Sequence, residues 1–103
     1  MGKEQKIAST SEIEPGALLG VVASGEQILL ANVGGRVHAV SDICTHAGCN
    51  LSEGTLDGDV VECPCHGGRF NITTGEVTQA PPEESLKTYV VHIRGSDVFV
   101  EMD

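Results

Sequence analysis

The feature that most constrains this chain is a repeated pairing of cysteine with histidine. One residue separates Cys44 from His46, two residues separate Cys63 from His66, and 16 residues lie between the two pairs. Thiolates and neutral imidazoles bind soft and borderline metal ions, and each pair is spaced closely enough to reach a single centre. From the residues alone, the four could hold zinc in a closed tetrahedral site. Four cysteines in a short chain could instead form two disulfides.

Both of these alternatives explain the spacing less well than an iron–sulfur centre does. A disulfide framework does not require histidine at a fixed distance from each cysteine, and zinc fingers usually group their cysteines apart from their histidines. Cys-x-His followed by Cys-x-x-His resembles the signature of the Rieske iron–sulfur family. The stretches that carry the resemblance are Cys44-Thr45-His46-Ala47-Gly48-Cys49 and Cys63-Pro64-Cys65-His66-Gly67-Gly68, with 35–42, 51–54, 70–71, 74–77 and 80–82 around them.

The resemblance extends from Ile7 to Glu101 and implies a fold and a cofactor. The fold would be a small all-β sandwich or barrel, with residues 1–103 as a single domain and a cluster-binding subdomain of two ligand loops at about 42–82. The cofactor would be one [2Fe-2S] cluster, with two cysteines on one iron and two histidines on the other, an arrangement that raises the reduction potential. The implied ligands are Cys44, His46, Cys63 and His66.

Four further positions bear on the kind of Rieske protein that this is. In respiratory Rieske subunits, cysteines at the positions of Cys49 and Cys65 form a disulfide, which ferredoxins serving ring-hydroxylating oxygenases generally lack. The resemblance therefore implies a candidate disulfide between Cys49 and Cys65. Respiratory subunits also usually carry serine and tyrosine hydroxyls where this chain has Gly68 and Phe70. The chain thus combines respiratory cysteines with a ferredoxin-like environment.

The function implied by the resemblance is that of a soluble Rieske-type ferredoxin, an electron carrier and not itself an enzyme. Its donor would be a flavin-containing NAD(P)H reductase, and its acceptor an oxygenase or another redox enzyme. Two alternatives within electron transfer are a soluble respiratory component and the small subunit of an assimilatory reductase. A structural zinc-binding interaction module is the alternative from a different class.

Charge and hydropathy exclude several other partners. Six Lys and Arg against fifteen Asp and Glu give a net charge of −9, which disfavours nucleic acid and anionic membranes and favours a basic docking face on a protein partner. The longest apolar stretch, Ala17 to Ala23, is far shorter than the roughly 20 residues of a membrane span. The first residues, Met1 to Lys6, lack the apolar core of a secretory signal. These patterns predict a cytoplasmic protein without a membrane anchor.

Short apolar runs separated by turn residues predict strands throughout, and the first four are predicted to form a meander. The turns are predicted at Ser24-Gly25-Glu26, Gly34-Gly35, Asp57-Gly58, Thr74-Gly75 and Arg94-Gly95-Ser96. His38 and His92 lie inside apolar patterns and are interpreted as structural or surface residues. The predicted strands are Gln5 to Ser9, Leu18 to Ala23, Gln27 to Asn32, Val37 to Ser41, Val60 to Glu62, Arg69 to Ile72, Thr88 to Ile93 and Asp97 to Glu101.

We expect a midpoint potential around or below 0 mV near neutral pH, in the lower half of the roughly −150 to +300 mV Rieske range. Gly68 and Phe70 supply no hydroxyl to donate to a cluster or ligand sulfur, so the reduced form is less stabilised. Gly68→Ser together with Phe70→Tyr should raise the midpoint potential. For a one-electron couple, a rise of about 59 mV corresponds to a tenfold larger equilibrium constant for reduction. Protein-film voltammetry measures both values. A parent midpoint near the top of the range would place the protein in the respiratory class.

Overall fold

The computed structural model describes residues 3–44, 48–65, 67–80 and 84–102, and within these ranges the backbone is almost entirely extended. Two single turns of 3-10 helix, Thr10–Glu12 and Leu51–Glu53, interrupt the strands. No helix in the described ranges is long and apolar enough to cross a bilayer. The strands are β1 (Lys3–Ser9), β2 (Leu18–Ala23), β3 (Glu26–Val33), β4 (Arg36–Ser41), β5 (Thr55–Asp57), β6 (Val60–Glu62), β7 (Arg69–Asn71), β8 (Val77–Gln79), β9 (Thr88–Tyr89), β10 (Val91–Arg94) and β11 (Asp97–Met102).

The strands form three antiparallel sheets. The first has the order β1-β11-β10, the second β2-β3-β4-β9, and the third β5-β6-β7-β8. The first sheet contains both terminal strands of the described chain, β1 and β11, whereas the third is a separate meander formed by residues between 55 and 79. The all-β fold predicted from the sequence is confirmed, and the third sheet lies within the segment predicted to bind the cluster.

Strand β3 is buried on both faces and separates two hydrophobic cores. Ile28 and Leu30 point into one core, where they pack with buried residues of β11 such as Val98. Leu29 and Ala31 point into the other, which fills the space next to the third sheet. Because side chains of a strand alternate between its two faces, a strand covered on both sides must be apolar at consecutive positions, as β3 is here.

The second of these cores contains two of the predicted cluster ligands, Cys44 and Cys63. Around them lie aliphatic side chains and one aromatic ring, Phe70, which is fully buried. The remaining buried members of this core are Leu29, Ala31, Val40, Leu51, Val61, Ile72 and Leu86. The packing that holds the third sheet to the second therefore also surrounds the candidate site.

The strand predictions agree with the structure where the pairing is local. Strands β2 and β6 have the predicted bounds, and the hairpin turns at Ser24-Gly25 and Gly34-Gly35 both have positive φ at each residue. The short strands β5 and β8 were missed, because three residues with at most one half-buried apolar side chain show little periodicity.

Two other expectations were wrong. Strand β1 does not join a meander with β2, but pairs with β11 at the opposite end of the sequence. The predicted strand Thr88 to Ile93 is broken at Val90, whose side chain is exposed and whose carbonyl accepts a hydrogen bond from the Glu101 amide at 3.0 Å. This break lets one continuous segment contribute β9 to the second sheet and β10 to the first.

Gly75 occupies a crowded position between the third sheet and the returning chain. Its amide donates to the Asn71 carbonyl at 2.7 Å, and its carbonyl accepts from the Leu86 amide at 2.8 Å. A Cβ added to Gly75, at φ +79°, would lie 2.5 Å from the Leu86 carbonyl oxygen. Gly25 has the same φ of +79°, but an added Cβ there would meet no atom within 4 Å.

We expect Gly75→Ala to lower the free energy of unfolding by roughly 1–3 kcal/mol more than Gly25→Ala does. Both substitutions impose the same left-handed penalty on alanine, so the difference isolates the contact with Leu86. Chemical denaturation of both variants gives the comparison. Equal losses would mean that the chain at Leu86 moves away without cost.

Candidate metal centre

The first candidate loop leaves the end of β4 and closes on itself around Cys44. The Cys44 amide donates to the Cys49 carbonyl at 2.8 Å, and the Gly48 amide donates back to the Cys44 carbonyl at 3.0 Å. An isolated antiparallel bridge between Ile43 and Asn50 lies just outside these bonds. Gly48 has φ +70°, a conformation that glycine adopts without steric cost.

The second loop, between β6 and β7, repeats this geometry around Cys63. The Cys63 amide donates to the Gly68 carbonyl at 2.7 Å, and the Gly67 amide donates to the Cys63 carbonyl at 3.2 Å. Gly67 has φ +73°. In both loops, therefore, the cysteine amide reaches the carbonyl five residues later, and a left-handed glycine four residues later donates back to the cysteine.

Cys44 and Cys63 are brought into the same apolar cluster, and each is only 2% exposed. Neither takes part in a described disulfide. An ionised thiolate in such surroundings is costly unless a cation accompanies it. Two buried cysteines on two similar loops thus fit the thiolate half of the donor set of a Rieske cluster.

The histidine half of that donor set is not described. His46 and His66 lie outside the described residues, as do Thr45 and Ala47 of the first loop and Pro81 and Pro82 of the predicted motif. Within the described residues, no group of three or more His, Cys, Asp or Glu side chains is placed to hold a metal ion. The four-ligand set therefore stays a prediction.

The other two histidines lie on strands away from both loops. His38 is on β4 and lines a groove of about 440 Å³ with residues of β9 and β10. His92 is on β10, and its Nε2 lies 2.6 Å from the Glu101 carboxylate and 3.6 Å from that of Glu4. Each has a structural setting of its own, in keeping with the interpretation from the sequence.

Cys49 and Cys65 are joined as a disulfide in the structure, with their Cα atoms 6.5 Å apart. Cys49 comes from the first loop and Cys65 from the second, so the bond links the two loops directly. Cys65 is exposed and Cys49 is half-buried. The disulfide thus lies towards the surface, outside the buried pair Cys44 and Cys63.

The two positions that lack hydroxyl groups are both buried beside the candidate site. Gly68 accepts the hydrogen bond from the Cys63 amide, and Phe70 packs in the same core as Cys44 and Cys63. A phenyl ring at residue 70 provides packing but no donor. The structure therefore has an apolar ring at residue 70, where the resemblance to respiratory subunits would imply a hydroxyl group.

Several polar side chains that fix the loops were not singled out from the sequence. The Gln79 amide donates from Nε2 to the Gly67 carbonyl at 2.9 Å, which attaches the second loop to β8. Asp42 and Asn50 hydrogen-bond to each other at the base of the first loop. A polar residue next to a ligand segment was the available signal, but most such residues only face solvent, and only the structure shows which of them hydrogen-bond to a loop.

A separate ionic contact secures the chain where it returns from the third sheet. The Glu26 carboxylate accepts from the Tyr89 hydroxyl at 2.8 Å and from the Lys87 ammonium at 3.2 Å. These two hydrogen bonds, with that of Tyr89 the larger influence, lower the pKa of Glu26. The contact ties β9 to the beginning of β3.

Comparison with known proteins places these observations in a family. The model of the Rieske [2Fe-2S] domain matches residues 3–90. The biphenyl dioxygenase ferredoxin subunit of Pseudomonas sp. (strain KKS102) is 45% identical over 97 residues, which cover 93% of this chain and 89% of that protein.

Solved structures give the same result for the fold. The ferredoxin of carbazole 1,9a-dioxygenase from Nocardioides aromaticivorans IC177 superposes with a TM-score of 0.93 at 27% identity, covering 98% of this chain and 99% of that one. A structure described as a complex of reduced oxygenase and oxidized ferredoxin in carbazole 1,9a-dioxygenase contains a chain that matches with a TM-score of 0.90 at 38% identity. That match covers 95% of this chain and 92% of the other.

We expect Cys49 and Cys65 to be bonded to each other in the isolated protein, although a reducing cytoplasm disfavours disulfides in general. Closing a loop between residues 16 apart in sequence stabilises a folded chain by about 3 kcal/mol in the loop-entropy model. Intact-mass measurement without reductant should therefore give a mass lower by two hydrogen atoms. The double variant Cys49→Ser with Cys65→Ser should still bind iron but release it faster.

Reductant serves as the control for this pair. It should speed iron release from the parent protein more than from the double variant, which has no disulfide to cleave. Alkylation of both Cys49 and Cys65 in the untreated protein would show that the bond is not formed.

Proposed function

Because the chain belongs to the Rieske [2Fe-2S] domain family, we propose that it carries one [2Fe-2S] cluster and transfers single electrons to an oxygenase. The proposed ligands are Cys44 and Cys63 through their thiolates and His46 and His66 through their imidazoles. The observation that carries the proposal is the pairing of Cys44 and Cys63, buried together on two loops of matching hydrogen-bond geometry. When bound, such a cluster supplies reversible one-electron chemistry at a potential raised by its histidine ligands.

The residues of the chain would serve mainly to hold and shield the centre. Leu51, Val61 and Phe70 are fully buried beside the two cysteines and keep water from that side. Excluding water preserves the low dielectric in which hydrogen bonds to ligands have most influence. The disulfide between the loops would limit their separation whether the centre is oxidised or reduced.

An electron carrier of this kind needs a donor and an acceptor. The relatives with the same domain are named as ferredoxin components of dioxygenase systems, so we propose an oxygenase as the acceptor and a flavin-containing NAD(P)H reductase as the donor. A reductase of that kind would place the exchange in the cytoplasm. The net charge of −9 would attract a basic surface on either partner, and salt would weaken that attraction. Catalysis would belong to the partners and not to this chain.

The ligand set predicts which histidines are essential to the centre. The purified parent protein should give the visible absorption and, after reduction, the electron paramagnetic resonance spectrum of a Rieske centre. His46→Ala or His66→Ala should abolish that spectrum, because each removes one of the two imidazole donors. His38→Ala is the matched control and should leave the spectrum unchanged, since His38 lies on β4 outside both loops.

The same measurements discriminate among the alternatives. A colourless zinc-containing protein with no reversible electron uptake would contradict the proposal and favour an interaction module. An unchanged reduced spectrum in either His46→Ala or His66→Ala would refute the ligand assignment. Permanent co-purification with a reductase would favour a subunit over a diffusing carrier.

A further inference from the structure

Asp42 is a charged residue in a place where charge is costly. It follows the last residue of β4, precedes Cys44 by two positions, and is only 3% exposed. Among the residues that the structure describes, it is the sole buried acidic or basic side chain. A buried carboxylate is tolerated when hydrogen bonds replace its lost hydration.

Those hydrogen bonds all come from the far end of the first loop. Asp42 Oδ1 accepts from the Ser52 amide at 2.6 Å, and Oδ2 accepts from the Ser52 hydroxyl at 2.8 Å and from Asn50 Nδ2 at 3.0 Å. The Asp42 carbonyl also accepts from the Leu51 amide at 2.7 Å. The carboxylate and the main chain of one residue thus join the beginning of the loop to its end.

The same residue fastens the loop to the second sheet. The Asp42 amide donates to the Gln27 carbonyl of β3 at 3.0 Å, and Asn50 Nδ2 also donates to the Gln27 side chain at 2.6 Å. On the other side, β2 passes so closely at Gly20 that an added Cβ would lie 2.7 Å from Ser52 Oγ and 3.0 Å from Asp42 Oδ2. The contacts between Asp42 and Ser52 are therefore confined by the backbones of two strands.

A comparison of the two loops explains why the first one needs this residue. The second loop is closed by the β6–β7 ladder, in which Glu62 pairs with Arg69. The first loop leads from β4 into the 3-10 turn Leu51–Glu53, and the strand pairing of its described residues is limited to the isolated bridge between Ile43 and Asn50. The Asp42 side chain joins the two ends of the first loop, as strand pairing joins the two ends of the second.

We propose that Asp42 is a positioning residue that holds the first ligand loop and Cys44 in place and, through its fixed negative charge, lowers the reduction potential of the centre. The inference rests on the proposed cluster. The groups that the structure places on the carboxylate, namely two N–H donors and a hydroxyl, are all neutral, so the charge is dispersed but not cancelled. Cys44 is two residues from this charge, and adding an electron to a centre near an uncancelled negative charge costs more Coulomb energy at low dielectric than in water.

The test uses three variants of the iron-loaded protein. Asp42→Asn removes the charge and keeps only one of the two side-chain oxygens. Its NH2 group must then face either the Ser52 amide or the Asn50 amide, so one of these hydrogen bonds is lost. Ser52→Ala keeps the charge and removes one hydrogen bond. Asp57→Asn makes the same change of charge on β5, where the side chain is exposed, and is the matched control.

Two readouts separate positioning from simple destabilisation. In Asp42→Asn the equilibrium constant for reduction should rise about tenfold, which corresponds to a midpoint potential about 59 mV higher. In Asp57→Asn the midpoint potential should change little. Iron release to a chelator should be roughly tenfold faster in Asp42→Asn, as is typical when a group that orients a ligand is lost. In Ser52→Ala, iron release should accelerate while the potential moves less than in Asp42→Asn.

Two results would overturn the inference. One is an Asp42→Asn protein that matches Asp57→Asn in both potential and iron release. If Asp42→Asn does not fold, the other such result is a Ser52→Ala protein that releases iron at the same rate as the parent protein. Failure of the proposed function is a separate observation, because the parent protein itself would then lack the Rieske spectrum.

Discussion

The burial of two cysteines in an aliphatic core is the constraint on which the rest of this structure depends. Cys44 and Cys63 occupy positions that Leu or Val would fill in an ordinary sandwich, and they pack against Leu51, Val61 and Phe70. A thiolate at such a position is stable only beside a metal centre. The candidate site and the core are therefore one structural unit, because the two cysteine side chains are part of the apolar packing.

The two loops are held in place by different interactions because they have different neighbours. The second loop extends from a strand pair and is attached to β8 through Gln79. The described part of the first loop has an isolated bridge in place of a strand ladder, its ends are joined by the Asp42 carboxylate, and the disulfide between Cys49 and Cys65 joins the two loops. In a protein carrying the proposed cluster, the missing hydroxyls at Gly68 and Phe70 and the charge of Asp42 would act in the same direction, since each would disfavour the reduced form. The extra cysteine pair, the feature of the chain that resembles respiratory subunits, is thus separate from the residues expected to set the potential.

The sequence was informative where structure is determined by neighbours along the chain. The turns at Ser24-Gly25 and Gly34-Gly35 and the bounds of β2 and β6 follow from local residue preferences. The pairing of β1 with β11 could not be predicted in the same way, because it joins opposite ends of the sequence and the alternation within one strand does not identify its partner. Asp42 was passed over for a related reason: its importance lies in being buried against Ser52, and an acidic residue in a highly acidic chain is ordinarily solvated.

The burial of β3 on both faces has a consequence for how its alignment is specified. In a strand with one polar face, a shift of one residue would expose apolar side chains, and this cost fixes the pairing. In β3 the shift would exchange Ile28 and Leu30 with Leu29 and Ala31, so that one apolar set replaces another. At these four positions hydropathy therefore does little to specify the alignment of the strand on which both cores are built. The two-residue turns at its ends do so instead, because backbones with positive φ at both positions permit a single hairpin register on each side.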